Sequence, residues 1–297
     1  MVLLSRNEVY TMKRIAVVTD STTLDSPKLL NHPDLYVAPL EVIANGKTYE
    51  DRVELQEEDW INFLKADATM TTSQPSLKNT IDVLKKARDG GYDHIFVLPL
   101  TSNLSGTYNG FVLANNELEI ENLEIIDTKA IAGQITVMIE KVFEYAKQGR
   151  SVEDIRSMIY TLMDNNITYI YPATLKRLVA SGRMNKAVGS LASLLKLRLL
   201  LVLENKGEQI EKHEIYRTEK KLYADLVQQF KNMNVNEDDW VIYVLHVENK
   251  EGADHLSTIL KEHFGNIEIR FEMLPGVIAT HVGLGVLGVQ AVLKESR

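Results

Sequence analysis

None of the 297 residues is cysteine. That excludes disulfides, thiolate zinc sites and a cysteine nucleophile, and it fits a reducing compartment. Several enzyme signatures are missing as well. There is no G-x-x-x-x-G-K-[ST] phosphate loop, no G-x-S-x-G elbow and no His-Glu-x-x-His. The seven histidines show no metal-ligand spacing. Neither a metal nor any other cofactor is therefore expected. The start, Met1-Val-Leu-Leu-Ser-Arg-Asn-Glu, has an apolar run of only four residues, too short for a secretory signal, so a cytoplasmic protein is expected. Residues 1–11 read as an extension ahead of a second start at Met12-Lys13-Arg14. Met273 to Leu293 lacks any Asp, Glu, Lys or Arg and is long enough to span a bilayer. Its Pro275, Thr280, His281, Gln290 and four glycines make it read instead as a buried loop and helix, with no integral membrane association.

What is present is ordinary for a globular protein: 45% apolar and 25% charged residues. The length favours two domains. A net charge of −8 does not favour general nucleic-acid binding. Along the first half, short apolar stretches alternate with helical ones. Strands are expected at Arg14–Thr19, His94–Leu100 and Leu123–Asp127, with a further apolar stretch at Leu35–Ile43 before the turn Asn45-Gly46. Helices are expected at Glu57–Ala66, from Leu77 to Gly90-Gly91, at Tyr108–Asn116 and at Ile131–Gln148. This order predicts an α/β fold whose mostly parallel sheet carries helices on both faces. Ser151 with Asp154 opens another helix. Asn165-Asn166 is the predicted boundary between an N-terminal domain, 12–165, and a smaller C-terminal α/β domain, 166–297. The second half is expected to hold a strand at Ile167–Tyr171, helices at Thr174–Ala180 and Lys186–Lys196, and a hairpin around Asn205-Lys206-Gly207-Glu208. A helix at Glu219–Met233, a strand at Trp240–Val247, a helix at His255–Phe264 and a strand at Ile267–Met273 follow.

Gly283-Leu-Gly285-Val-Leu-Gly288 matches the dinucleotide fingerprint G-x-G-x-x-G, which has meaning only in a strand–loop–helix–strand unit. Only nine residues follow Gly288, so the glycines are read as allowing close backbone approach at a helix start. Three hydroxyl-rich loops are more informative: Asp20-Ser-Thr-Thr, Thr71-Thr-Ser-Gln-Pro-Ser and Thr101-Ser-Asn-Leu-Ser-Gly-Thr. They are expected between strand ends and helix starts, where open α/β sheets bind ligands and helix N-termini suit anions. Separate N-caps and one shared anion site are both consistent with them. From Asn165 to Leu203 there is no acidic residue, but there are six basic ones: Lys176, Arg177, Arg183, Lys186, Lys196 and Arg198. This window reads either as a solvated face or as a contact for an anionic group or acidic partner. Arg183 follows Ser181-Gly182, where its fork suits a carboxylate. His281 is either a satisfied core residue or a donor to a buried anionic head group.

Together these segments resemble the DegV family of bacterial fatty-acid-binding proteins. The likeness rests on Val18-Thr-Asp-Ser-Thr, Thr72-Ser-Gln-Pro-Ser, Leu104-Ser-Gly-Thr-Tyr, Ile126-Asp-Thr, Leu178 through Ser181-Gly-Arg183, and Thr280-His-Val-Gly-Leu-Gly, in family order over residues 14 to 293. The resemblance implies two α/β domains with a long-chain fatty acid between them. It implies that the Thr72 and Ser105 hydroxyls bind the carboxylate, and that Arg183 and His281 line or close the head-group site. It further implies a non-catalytic subunit that presents the acid to a separate ATP-binding fatty acid kinase protein; the basic window then supplies the expected docking residues, Lys176, Arg177, Lys186 and Arg198. Two departures stand out. Leu284 replaces the usual proline of His-Val-Gly-Pro-Gly, and Leu197-Arg-Leu-Leu replaces Lys-Pro-Ile.

Two rival readings remain. One is an acyl hydrolase or transferase using Ser105, with His281 as base and Asp20 as its orienting carboxylate. The other is a regulatory module whose basic window binds nucleic acid, against which the overall acidity argues.

Overall fold

The structure, a computed structural model, describes residues 13–29, 31–184, 197–203 and 209–294. The expected helix Lys186–Lys196, the turn at Asn205–Glu208, and Lys186 itself lie outside the described residues.

The first sheet is parallel throughout, with strand order β2-β1-β6-β7. Its strands are β1 (Ile15–Asp20), β2 (Leu35–Ala38), β6 (His94–Val97) and β7 (Leu123–Ile125). All six β1 residues are buried, and they serve two cores alternately. Ala16 and Val18 pack with Leu84 of α2 (Leu77–Asp89) and Phe111 of α3 (Thr107–Leu118). Ile15 and Val17 join the core on the other face, with Ile135 and Val142 of α4 (Gly133–Lys147). A period-two strand buried on both faces needs just this unbroken apolar run. Ser76 caps α2, accepting from the Asn79 N–H (3.2 Å), and Ser151 and Asp154 form the expected capping box on α5 (Val152–Asp164).

The expected single stretch Leu35–Ile43 is divided. Pro39 and Leu40 separate β2 from β3 (Glu41–Ala44), which joins β4 (Lys47–Glu50) and β5 (Met70–Ser73) in an antiparallel sheet. Asn45 (φ 50°) and Gly46 (φ 82°) make the β3–β4 turn, both left-handed as a two-residue hairpin requires. The helix α1 (Glu57–Lys65) lies between β4 and β5 in sequence. Thr72 therefore sits on a strand of this small sheet, and not in a loop at the end of the parallel sheet as the sequence suggested.

The second sheet has six strands, ordered β10-β9-β8-β13-β11-β12, and only β11–β12 is parallel. Its strands are β8 (Asn166–Tyr171), β9 (Arg198–Leu203), β10 (Glu211–Tyr216), β11 (Trp240–His246), β12 (Glu268–Met273) and β13 (Leu287–Leu293). One face packs on α7 (Glu219–Asn232) and α8 (Lys250–Phe264). The short helices α6 (Lys176–Ser181) and α9 (Gly276–Val282) pack against each other. The uncharged segment Met273–Leu293 is thus a short helix followed by a central strand. The strand was missed because a short, wholly buried apolar run has no alternation to distinguish it. Gly283 and Gly285 follow α9 and do not start a helix; both have φ 80°, which lets the chain turn from α9 into β13. Among the described residues no helix is long and apolar enough to cross a membrane.

One apolar core runs through both sheets, from Val17 and Phe96 to Tyr243 and Val292, with α4 between them. Polar ties reinforce the junction. Arg270 of β12 donates to Glu140 of α4 (2.9 Å) and to the Tyr243 hydroxyl (2.7 Å), and Lys65 of α1 pairs with Glu248 after β11 (2.6 Å).

Candidate functional site

A cavity of about 450 Å³ lies between the two sheets, within the size range of small-molecule sites. Its walls are mainly apolar: Leu40, Leu100 and Leu104 from the first half, and Ile170, Leu203, Leu245, Val277 and Val286 from the second. Thr72, Ser105, Arg183 and His281 all line it, so four residues up to 209 positions apart share one wall system.

β5 and α9 bring Thr72 and His281 into direct contact, Oγ1 to Nε2 at 2.7 Å. Burial first, and the nearby Arg183 guanidinium second, push the His281 imidazole down to about 4. The ring is neutral at pH 7. Arg183 follows Gly182, whose left-handed φ of 70° ends α6, and its guanidinium donates to the Ser181 carbonyl. Ser105 lies just ahead of α3, where its Oγ contacts Thr107 Oγ1 (2.9 Å) and accepts from the Thr107 N–H (3.3 Å). Ser105 therefore supports its own turn and also lines the cavity; the N-cap of α3 is Gly106, with no side-chain cap.

The third expected loop acts as a brace. Asp20 is fully buried and burial raises its pKa. One carboxylate oxygen accepts from Thr22 N–H (2.9 Å) and Oγ1 (2.6 Å), the other from the Leu100 N–H (2.8 Å). Asp20 thus joins the ends of β1 and β6, while Thr22 reaches the cavity wall. The Ser105–His281–Asp20 arrangement of the hydrolase reading is not assembled: His281 meets Thr72, Ser105 meets Thr107, and Asp20 meets Thr22 and Leu100. Sequence reasoning also missed Gln74, Thr168 and Gln290 on the cavity wall. Thr168 and Gln290 belong to strands whose apolar character hid them, and Gln74 carried no signal beyond its motif.

The basic window has a mixed fate. Lys176 pairs with Asp67 (2.5 Å), and Arg177 donates to the Ala68 carbonyl (3.2 Å) beside the same aspartate. Both clasp the turn between α1 and β5. Arg177 is largely covered, whereas Lys176 stays exposed. Arg198 is exposed at the start of β9.

The titration of His281 has a measurable consequence. In the unfolded chain the imidazole protonates below about 6.5. Between about 4 and 6.5 the unfolded state therefore binds more protons, and stability from this group is complete above that window and lost as pH falls through it. The loss is up to about 3 kcal/mol. Asp51, pushed up to about 6 by burial, acts in the opposite direction as pH falls. Urea unfolding of the wild type and of His281→Gln at pH 7 and pH 4 separates the two effects. The wild type's advantage is expected to shrink on acidification, and a difference independent of pH would contradict a buried neutral His281.

Fold and cavity define a two-domain α/β protein with a mainly apolar cavity between its sheets and polar side chains from both halves on its wall. A family model described as "Uncharacterised protein, DegV family" matches residues 14–294, and the chain belongs to the DegV family. It is 29% identical over 282 residues to a fatty acid-binding protein of Thermotoga maritima, covering 93% of this chain and 96% of that one. Among solved structures, it resembles a fatty acid binding DegV family protein of Streptococcus agalactiae at TM-score 0.85 and 26% identity, covering 95% and 100% of the two chains. A DegV family protein of Thermus thermophilus, described by its fatty acid binding, gives TM-score 0.85 and 27% identity over 94% and 99%.

Proposed function

We propose that this protein binds a long-chain fatty acid in the cavity between domains 12–165 and 166–297. In this reading Thr72, Ser105, Arg183 and His281 hold the carboxylate, and the protein presents it to a separate ATP-dependent acyl kinase. One observation carries the reading: hydroxyl-, guanidinium- and imidazole-bearing residues from both halves of the chain line one cavity whose walls are mainly apolar. The fatty-acid-binding relatives support it.

The energetics follow from the two parts of such a ligand. Burying a methylene contributes roughly 0.8 kcal/mol, so about 15 of them contribute about 12 kcal/mol before the costs of association. A charge-assisted hydrogen bond contributes about 1.5–3 kcal/mol. Chain burial sets affinity, and the polar groups set the direction of the head group. The Thr72–His281 contact orients a proton as well. A neutral His281 carrying hydrogen on Nε2 donates to Thr72 Oγ1 and leaves the Thr72 hydroxyl proton free for the carboxylate. Arg183 supplies the opposing charge. The kinase transfers the ATP γ-phosphoryl group to a carboxylate oxygen, giving an acyl phosphate and ADP, while this chain contributes position only. Lys176, Arg177 and Arg198, with Lys186, supply cations for docking, Arg177 while also holding the Ala68 carbonyl.

The test combines the protein, loaded with oleate, with an acyl kinase subunit from a bacterium that encodes both. ATP-dependent acyl phosphate, trapped as the hydroxamate, is expected only when this protein is present. Equal product without it would overturn the presenting role.

A further inference from the structure

The exposed residues of the cavity wall mark its mouth. Among the described residues that line the cavity, only Gln74 and Gly106 are exposed; Thr72, Ser105, Arg183 and His281 are half-buried, and most of the others are buried. The mouth adjoins two of the residues proposed for the head group. Gln74 stands two positions after Thr72, and Gly106 directly follows Ser105.

Two features seat Gln74 there. Pro75 disfavours a helical backbone at the residue before it, so Gln74 continues the extended course of β5. Side chains two apart on an extended chain share a face, and Thr72 and Gln74 both line the cavity. The Gln74 amide then rests on the start of α3. A Cβ at Gly106 would come within 2.0 Å of its Oε1 and 3.2 Å of its Cδ. Gly106 has φ −73°, open to any residue, so the missing side chain there makes room for the amide and is not needed to turn the chain. One turn on, a Cβ at Gly110 would lie 3.4 Å from Nε2, an ordinary contact. The amide makes no hydrogen bond among the described residues. An end group with two N–H donors is thus seated on glycine beside Ser105, unengaged and open to the mouth.

A carboxylate held by Thr72 and Ser105 and passed to a separate kinase turns one oxygen outward, because the kinase reaches it from solvent. A neutral amide N–H fixes the direction of that oxygen and adds no further positive charge. We propose that Gln74 is a further head-group residue, whose amide N–H holds the outward oxygen of the bound carboxylate. The inference rests on the fatty-acid reading above and adds the residue that aims the acid at the mouth.

The experiment is a carbon-13 NMR pH titration of carboxyl-labelled palmitate bound to the delipidated full-length protein. A hydrogen bond to the charged form lowers a carboxyl pKa, and its loss raises it. Gln74→Leu is expected to raise the pKa of the bound acid by about 0.5 unit or more, with palmitate still bound. Gly106→Ala is expected to do the same with Gln74 retained, because the new methyl displaces only the end of a flexible side chain. That variant carries the test if the leucine variant fails to fold. An unchanged carboxyl titration in either folded variant overturns the proposal. A wild type with no bound carboxyl signal contradicts the fatty-acid reading itself, whereas a bound signal indifferent to position 74 contradicts this inference alone.

Discussion

Replacing Thr72 and Ser105 together by alanine is expected to lower kinase-dependent phosphorylation of the bound acid by about 100-fold, while much of the acid stays bound. The two hydroxyls contribute little to total affinity beside the buried chain. They contribute direction, and a reacting group displaced by about 1 Å can lose about 100-fold in rate. Removal of Thr72 also frees His281 Nε2 from its partner at 2.7 Å, so the imidazole loses an orienting contact as the carboxylate loses a donor. Mass spectrometry of the extracted lipid and hydroxamate trapping of the acyl phosphate measure the two quantities separately. Full phosphorylation by the double variant would show that the head group is held elsewhere.

The second large effect is expected from the cavity wall. Gly288 lies on the central strand β13 and lines the cavity, with Leu245 beside it. A Cβ at 288 would lie 3.3 Å from Leu245 Cβ, a contact relieved by a shift of a few tenths of an ångström. Gly288→Val suits a strand and projects branched volume into the ligand space. Displacing about three methylenes of the ligand removes about 2 kcal/mol, so affinity for palmitate is expected to fall by about 30-fold or more. Palmitate titration, with a thermal melt as the folding control, gives the answer. Unchanged affinity in a folded variant would place the chain outside this cavity.

Much of this architecture is written in local pattern. The unbroken apolar run of β1, the box of Ser151 with Asp154 and the turn Asn45-Gly46 each rest on interactions within a few residues, and each is found where it was expected. What escaped depends on partners distant in sequence. Thr72 looked like a loop residue because the run Thr71-Thr-Ser-Gln-Pro-Ser has no apolar alternation and leads into a proline; pairing with Val42 of β3 makes it a strand residue. β13 is flanked by β8 and β11, and only that central position explains a glycine and a glutamine in its middle. The four residues proposed to hold the head group carried motif signals, but the contact of Thr72 with His281 spans 209 positions and belongs to packing alone. The basic window was visible as charge, whereas the burial of Arg177 against Ala68 was not.

The central claim is that the cavity holds a long-chain fatty acid. Denaturing extraction of the purified protein followed by lipid mass spectrometry tests it most directly. The account predicts a long-chain acid at close to one per chain. An extract free of such acids, together with failure of the delipidated protein to take up oleate or palmitate, would contradict it.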